Sequence, residues 1–420
     1  GKIREILERS FRFGDAYASI NATDPSLTSM LTGFYPSSTG MVQHGHRVSA
    51  DHLKLLSKVT FLQEILRSNG YRTIAVDFLD RWHSRGFHDY VNPRTSSAKA
   101  KLFRMLPASI KRMAAKRGPV RKAASIPYDA GEATRTAKRF IRRYSGRSYF
   151  MLLHYWDTHL PYNTDSYYVK IRKYGDLRVS DIARGLRGPW GNKLLEVFGD
   201  SLVDEVVSRY YSAGVYVHKI MDELLEEVDL DKTIIVITAD HGESLGEHGI
   251  WFDHHGLYEV SLRVPLFIYL PGQEGGIRPG AYQHVDLTPT LLGLLKYRKV
   301  VDPLADGSDL SECILEGTGC PVSRVVFAEE WYVERKITII DNKIKYIYAP
   351  DPREAQCRYC GVIHGGLREL YDLSEDPGET MSLARSRKEL AEEMEAKLKN
   401  FVRRLLGKRV RLSLRSVPRL

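Results

Sequence analysis

The chain has 420 residues, 43% hydrophobic, 10% aromatic and 27% charged, with a formal net charge of +10. This composition excludes disordered, collagenous and small disulfide-scaffold classes, and it supplies a core for roughly two or three domains or one large one. No apolar run approaches the roughly 18 residues of a membrane helix, and the opening Gly1-Lys2-Ile3-Arg4-Glu5 lacks the apolar stretch of a leader, so the expected setting is cytoplasmic.

In chain order, a helical pattern over residues 61–67 leads through the turn signal Asn69-Gly70 to a strand at 73–76. Residues 94–147 then carry 16 Lys or Arg against two acids, Asp129 and Glu132, a surplus of +14 that leaves the rest of the chain at −4. A block of this kind suits an anionic polymer, a lipid surface or a solvated helical insertion. No aromatic interleaving or zinc-finger spacing accompanies it, so nucleic acid is not the expected partner. A helical pattern at 133–143, a strand at 149–155, a long helix at 203–228, strands at 233–238 and 266–269 and a helix at 288–295 follow. Strands alternating with helices predict an α/β fold, with a mostly parallel sheet sandwiched by helices.

From Val325 the texture changes to short alternating strands at 336–340 and 343–348, then a Lys/Glu-rich helix at about 386–406. The expected organisation is a catalytic domain over 1–324, with the basic insertion inside it. A smaller C-terminal α+β subdomain with an antiparallel sheet fills 325–420, closed by that helix. The last residues, 403–420, hold seven Lys or Arg and no acid, a basic amphipathic end that is either docked or loose. The four cysteines come late. Cys313, Cys320, Cys357 and Cys360, with His364 near the C-x2-C pair, can form either a structural zinc knuckle or local disulfides.

In open α/β sheets the chemistry lies beyond the carboxyl ends of the strands. Two Asp/His clusters occupy such positions. One is Asp240-His241-Gly242 after the 233–238 strand; the other is His154-Tyr155-Trp156-Asp157-Thr158-His159 after the 149–155 strand. A carboxylate beside an imidazole suits zinc or manganese ahead of magnesium or calcium.

The run from Thr238-Ala239-Asp240-His241-Gly242 through Gly246-Glu247-His248-Gly249 to His254-His255-Gly256-Leu257-Tyr258-Glu259 and Arg263-Val264-Pro265 resembles the sulfatase family of the alkaline phosphatase superfamily. Thr23-Asp24-Pro25-Ser26-Leu27 is similar to that family's nucleophile segment. Asp157-Thr158-His159-Leu160-Pro161-Tyr162 is similar to its substrate-binding segment, and the stretches at 285–292 and 369–379 match further signatures. The resemblance implies an ester hydrolase with one divalent metal, held by Asp240, His241 and Thr23. Thr23 is then the nucleophile, His159 a group holding a nonbridging oxygen or the leaving group, and His255 the proton donor to the leaving oxygen. His254, Asp157 and Ser26 fall at substrate-binding positions.

Two departures bear on the chemistry. The family's nucleophile is a Cys or Ser matured to formylglycine in a C-x-P-x-R context, whereas here Thr23 and Leu27 stand at the nucleophile and Arg positions. Threonine has no route to that aldehyde, so formylglycine is not expected. The expected reaction is cleavage of phosphate or phosphonate esters through a covalent Thr23 intermediate, with sulfuric ester hydrolysis, phospho-group transfer and non-catalytic anion binding as alternatives. The second departure is that the family's first strand, with its Asp metal ligand, has no counterpart before Phe13-Gly14-Asp15-Ala16-Tyr17. Loss of a central strand would leave apolar sheet edges uncovered. The alcohol part of the ester and the oligomeric state are not readable from the sequence.

Overall fold

A computed structural model describes residues 1–93, 129–160, 162 and 200–415. Most of the basic insertion, from 94 to 128, therefore lies outside the described residues. The strands in chain order are β1 (Phe11–Tyr17), β2 (Arg72–Val76), β3 (Asp89–Val91), β4 (Tyr149–Leu153), β5 (Ile235–Thr238), β6 (Ser244–Leu245), β7 (Trp251–Asp253), β8 (Leu266–Tyr269), β9 (Gly276–Gln283), β10 (Val326–Glu330), β11 (Lys336–Asp341), β12 (Ile344–Tyr348) and β13 (Arg368–Asp372). The chain divides into two compact units, one of residues 1–5 and 66–229 and the other of 6–65 and 230–420.

In the first unit β3, β2 and β4 form a parallel sheet in that order. The Ala130–Tyr144 helix packs on β2 and β4. Its start is fixed by Asp129, whose side chain accepts the Glu132 N–H at 2.8 Å, and its last turn carries Arg142 and Arg143, which complement the helix dipole. Ala130, Ala133, Ala137, Ile141 and Tyr144 recur at helical spacing and are buried. Ala130 packs with Tyr216 and Ile220 of the Asp200–Leu225 helix.

The second unit holds two sheets. In the first, ordered β5-β8-β1-β9, β1 runs parallel to β9 while β8 is antiparallel to both its neighbours. Phe11, Phe13, Val264, Leu266, Ile268 and Tyr282 make its core. In the second, β10 to β13 form an antiparallel meander. The Lys388–Ser413 helix covers it, burying Ala391, Met394, Leu398 and Leu405 against Ile337, Ile339, Tyr346 and Leu370. This helix runs seven residues beyond its expected end. Leu412 keeps its apolar stripe inward, and Lys408 and Arg415 pair with Asp306 and Asp302, so the basic end is docked as far as residue 415.

The α/β class and the antiparallel C-terminal sheet are as the sequence implies. The 324/325 boundary falls between two sheets of one unit: the Glu329 N–H donates to the Ser19 carbonyl, and the Ser37 N–H donates to the Glu329 carboxylate at 2.8 Å. β4 and β5 are each edge strands of their own sheets among the described residues, and all their residues are half-buried despite apolar sequences. None of the described helices is long and apolar enough to cross a membrane.

Candidate active site

Thr23 is the first residue of the buried Thr23–Thr32 helix, after Ala22 in an extended conformation. The hydroxyl thus sits where unpaired N–H groups and the helix dipole favour negative charge. Asp240 and His241 follow β5. Gly242 turns the chain there because a Cβ at that position would lie 2.0 Å from the Val260 carbonyl oxygen. The His241 Nδ1–H donates to the Gly242 carbonyl at 2.8 Å, which leaves Nε2 as the acceptor. That Nε2 faces Thr23 Oγ1 at 3.2 Å and Asp240 Oδ2 at 3.3 Å.

A lone pair and a carboxylate oxygen 3.3 Å apart repel unless a proton or a cation lies between them. The donor set of carboxylate, imidazole and hydroxyl therefore fits a divalent ion, and the backbone bond at Nδ1 is the usual means of orienting a ligating histidine. His254 completes the cluster: its ring stands 4.0 Å from that of His241, and its Nδ1–H donates to the Asn21 carbonyl at 2.5 Å. Asn21 in turn donates from Nδ2 to the Gly256 carbonyl and to Glu330. These bonds fix the turn after β7 against the segment that leads into Thr23.

Ser26 is fully buried, and its hydroxyl donates to the Asp240 carbonyl at 2.6 Å. It also lies 3.0 Å from His284 Nδ1, while the His284 Nε2–H donates to the Ala239 carbonyl. Burial pushes His284 down to about 4, so it is neutral and braces the β5 exit from behind. The substrate-binding position read for Ser26 is thus corrected: a side chain with no exposed surface positions Asp240 instead of meeting a ligand.

His255, the neighbour of His254, is directed elsewhere. Its Nε2 lies 3.5 Å from Cys357 Sγ and its Nδ1 3.6 Å from Asp253. Burial opposes its charge, but Asp253 and Cys357 outweigh that and push it up to about 11.

Asp157 and His159 belong to the first unit. Asp157 is fully buried and accepts the Ala130 N–H at 3.1 Å, so it holds a helix N-terminus. His159 binds the Leu160 carbonyl through Nδ1 at 2.7 Å. His154 pairs with Asp77 at 3.0 Å, which identifies it as structural. Of the cysteines, Cys313 and Cys320 form a disulfide, whereas Cys357 and Cys360 are both thiols.

Asn21, Asp253, His284 and Asp77 escaped the sequence reading. Asp253 had a signal in its adjacency to His254-His255. The other three act through backbone carbonyls or a partner distant in sequence, which no local pattern displays.

The family profile described as Sulfatase matches residues 2–297. Among relatives, a choline-sulfatase of Rhizobium meliloti is 34% identical over 185 residues, 42% of this chain and 33% of the relative. An arylsulfatase of Clostridium perfringens is 24% identical over 288 residues, covering 64% and 55%. An iduronate 2-sulfatase of Mus musculus is 23% identical over 357 residues, covering 73% and 60%. The chain thus spans a third to three-fifths of the length of these relatives. Two solved structures share the fold: one bound to its substrate D-glucosamine-2-N,6-O-disulfate (TM-score 0.66, 18% identity, 96% of this chain and 92% of that one) and a 2-O GAG sulfatase (TM-score 0.66, 17% identity, 99% and 90%).

Proposed function

The chain belongs to the sulfatase family, and from that premise we propose that it hydrolyses sulfuric esters of an anionic substrate at the cluster of Thr23, Asp240, His241 and His254. The relatives favour this ester class over the phosphate or phosphonate esters expected from Thr23 alone. The observation that carries the reading is the convergence of the Thr23 hydroxyl and the Asp240 carboxylate on His241 Nε2, at 3.2 and 3.3 Å, at the head of a helix.

Thr23, Asp240 and His241 would hold the divalent cation, which when bound supplies Lewis-acid charge at the ester oxygens. The Thr23 hydroxyl gives its proton to water, because the His241 Nε2 lone pair would be taken by the cation, and the helix N-terminus favours the resulting alkoxide. Thr23 Oγ then bonds to sulfur as the ester oxygen leaves, and water displaces Thr23 Oγ from sulfur to release sulfate and return the hydroxyl. His254, whose Nδ1–H is committed to Asn21, presents Nε2 and in its protonated form hands that proton to the leaving oxygen. The proposal gives His254 the role that the motif match alone gives to His255, and the approach of His255 Nε2 to Cys357 supports that choice. His159 is assigned a substrate contact by the D-x-H-x-P-Y match alone.

A second reading, phosphate or phosphonate ester cleavage, is favoured by Thr23 itself, since a threonine phosphoester oxygen can leave a phosphorus centre, whereas threonine cannot become the aldehyde hydrate of formylglycine. The two readings separate in one experiment: turnover of aryl sulfate, aryl phosphate, aryl phosphodiester and aryl phosphonate esters by wild type and Thr23→Ala. The proposal requires sulfate release to be fastest and to fall roughly 10³-fold or more in the variant. Faster phosphate or phosphonate release transfers the assignment to the second reading, and full turnover in Thr23→Ala removes the nucleophile.

A further inference from the structure

We infer that His255, Cys357, Cys360 and His364 form a cage for one zinc ion, a site separate in its residues from the Thr23, Asp240 and His241 cluster. One ligand atom each from His255, Cys357 and His364, all buried, lie within 4.8 Å of one another. His255 Nε2 is 3.5 Å from Cys357 Sγ, and His364 Nε2 is 3.2 Å from the partly exposed Cys360 Sγ. Tetrahedral zinc with bonds of about 2.0 Å to nitrogen and 2.3 Å to sulfur sets ligand separations of roughly 3.6 Å. A contraction of about 1 Å brings the widest pair among His255, Cys357 and His364 into that range.

One hydrogen bond at the cage has the sense that ligation needs. The His364 Nδ1–H donates to the His248 carbonyl at 3.1 Å, and His255 Nδ1 faces the Asp253 carboxylate at 3.6 Å. The His364 ring thus turns Nε2 toward Cys360 with a carbonyl bonded behind it, which is how ligating histidines are held, and the His255 ring turns Nε2 toward Cys357 with the Asp253 carboxylate near its other nitrogen.

The sulfurs are prepared as anions. Cys357 Sγ accepts the Tyr359 N–H at 3.4 Å, and the chain turns sharply after Cys360 at Gly361, whose φ of +75° a side chain would resist.

Surrounding charge points the same way. Buried Glu330 and Glu334 interact electrostatically with His255, and Glu334 also with His364, so a cation at the cage would face two buried carboxyl groups, one of them paired with Lys336. Two thiolates and two imidazoles select zinc over magnesium or calcium. The ion would tie the 357–364 loop to the turn after β7, and a zinc-bound Nε2 leaves His255 no proton to give.

The test uses the full chain, stripped with a chelator under reducing conditions, reloaded with zinc or cobalt and dialysed, alongside Cys360→Ser, Cys357→Ser and Asp240→Asn. The expected result is about one equivalent of zinc that Asp240→Asn keeps and either cysteine variant loses, with a thiolate-to-cobalt charge-transfer absorption present in Asp240→Asn. Asp253→Asn should weaken zinc binding roughly 10- to 100-fold. In the wild type, zinc should shield Cys357 and Cys360 from alkylation, a readout independent of whether a variant folds. Undiminished zinc in both cysteine variants, absence of the cobalt–thiolate band, unchanged alkylation, or a Cys357–Cys360 disulfide in the purified protein would overturn the assignment.

Discussion

Replacing Ser26 by alanine separates a positioning residue from a substrate contact. The hydroxyl is fully buried, donates to the Asp240 carbonyl at 2.6 Å and lies 3.0 Å from His284 Nδ1. The variant leaves a buried carbonyl and a buried ring nitrogen without this shared partner. An orphaned buried polar group costs about 1–3 kcal/mol, and for a unit of this size each kcal/mol lowers Tm by roughly 2–4 °C. A fall of roughly 4–8 °C in a thermal melt is therefore expected for a loss near 2 kcal/mol. Because the loosened carbonyl belongs to Asp240 itself, kcat for ester hydrolysis should drop roughly 10- to 100-fold while KM stays near its wild-type value. A Ser26 that touched substrate would instead raise KM and leave the melt unchanged. A Tm within about 1 °C of wild type together with a raised KM would falsify this reasoning.

Asp240→Asn should retain about one equivalent of divalent metal fewer than wild type after dialysis, since the variant removes the negative ligand beside His241 and leaves the His255 and Cys357 cage untouched; equal metal content by elemental analysis would contradict the assignment. In the first unit, burial raises the pKa of Asp77, but its bond and charge interaction with His154 and the Tyr90 hydroxyl outweigh that and lower it to about 2. Because the folded value is the depressed one, the resulting stability of about 2 kcal/mol is present above about pH 4 and lost as pH falls toward 2. Urea melts across that range should show the decline in wild type and a flatter profile in Asp77→Asn. Lys345 is fully buried between Glu259 at 3.0 Å and Glu379 at 2.7 Å. Lys345→Met strands two carboxylates and should cost about 3–5 kcal/mol by denaturant titration, with partial recovery in the triple variant carrying Glu259→Gln and Glu379→Gln.

The sequence by itself determined β2, β4, β5, β8, β11 and β12 and the longer helices, because apolar runs and helical spacing are local properties, whereas β1, β3, β6, β7, β9, β10 and β13 carry no such run. It also determined the D-H-G turn, the Thr23-Asp24-Pro25-Ser26 motif and the family, since contiguous motifs carry them. Gly242 is legible in this way because its backbone approach to Val260 admits no side chain.

What only the tertiary structure decided are the partners that meet across long stretches of chain. Ser26 lies behind Asp240 and not in front of it, because the Thr23–Thr32 helix buries that face. His254 faces His241 while the adjacent His255 meets Cys357, 102 residues away, since successive side chains after β7 diverge. Cys313 chose Cys320, leaving Cys357 and Cys360 as thiols beside two imidazoles. Spacing alone allowed either a zinc knuckle or disulfides there, because the fourth donor, His255, comes from another part of the fold.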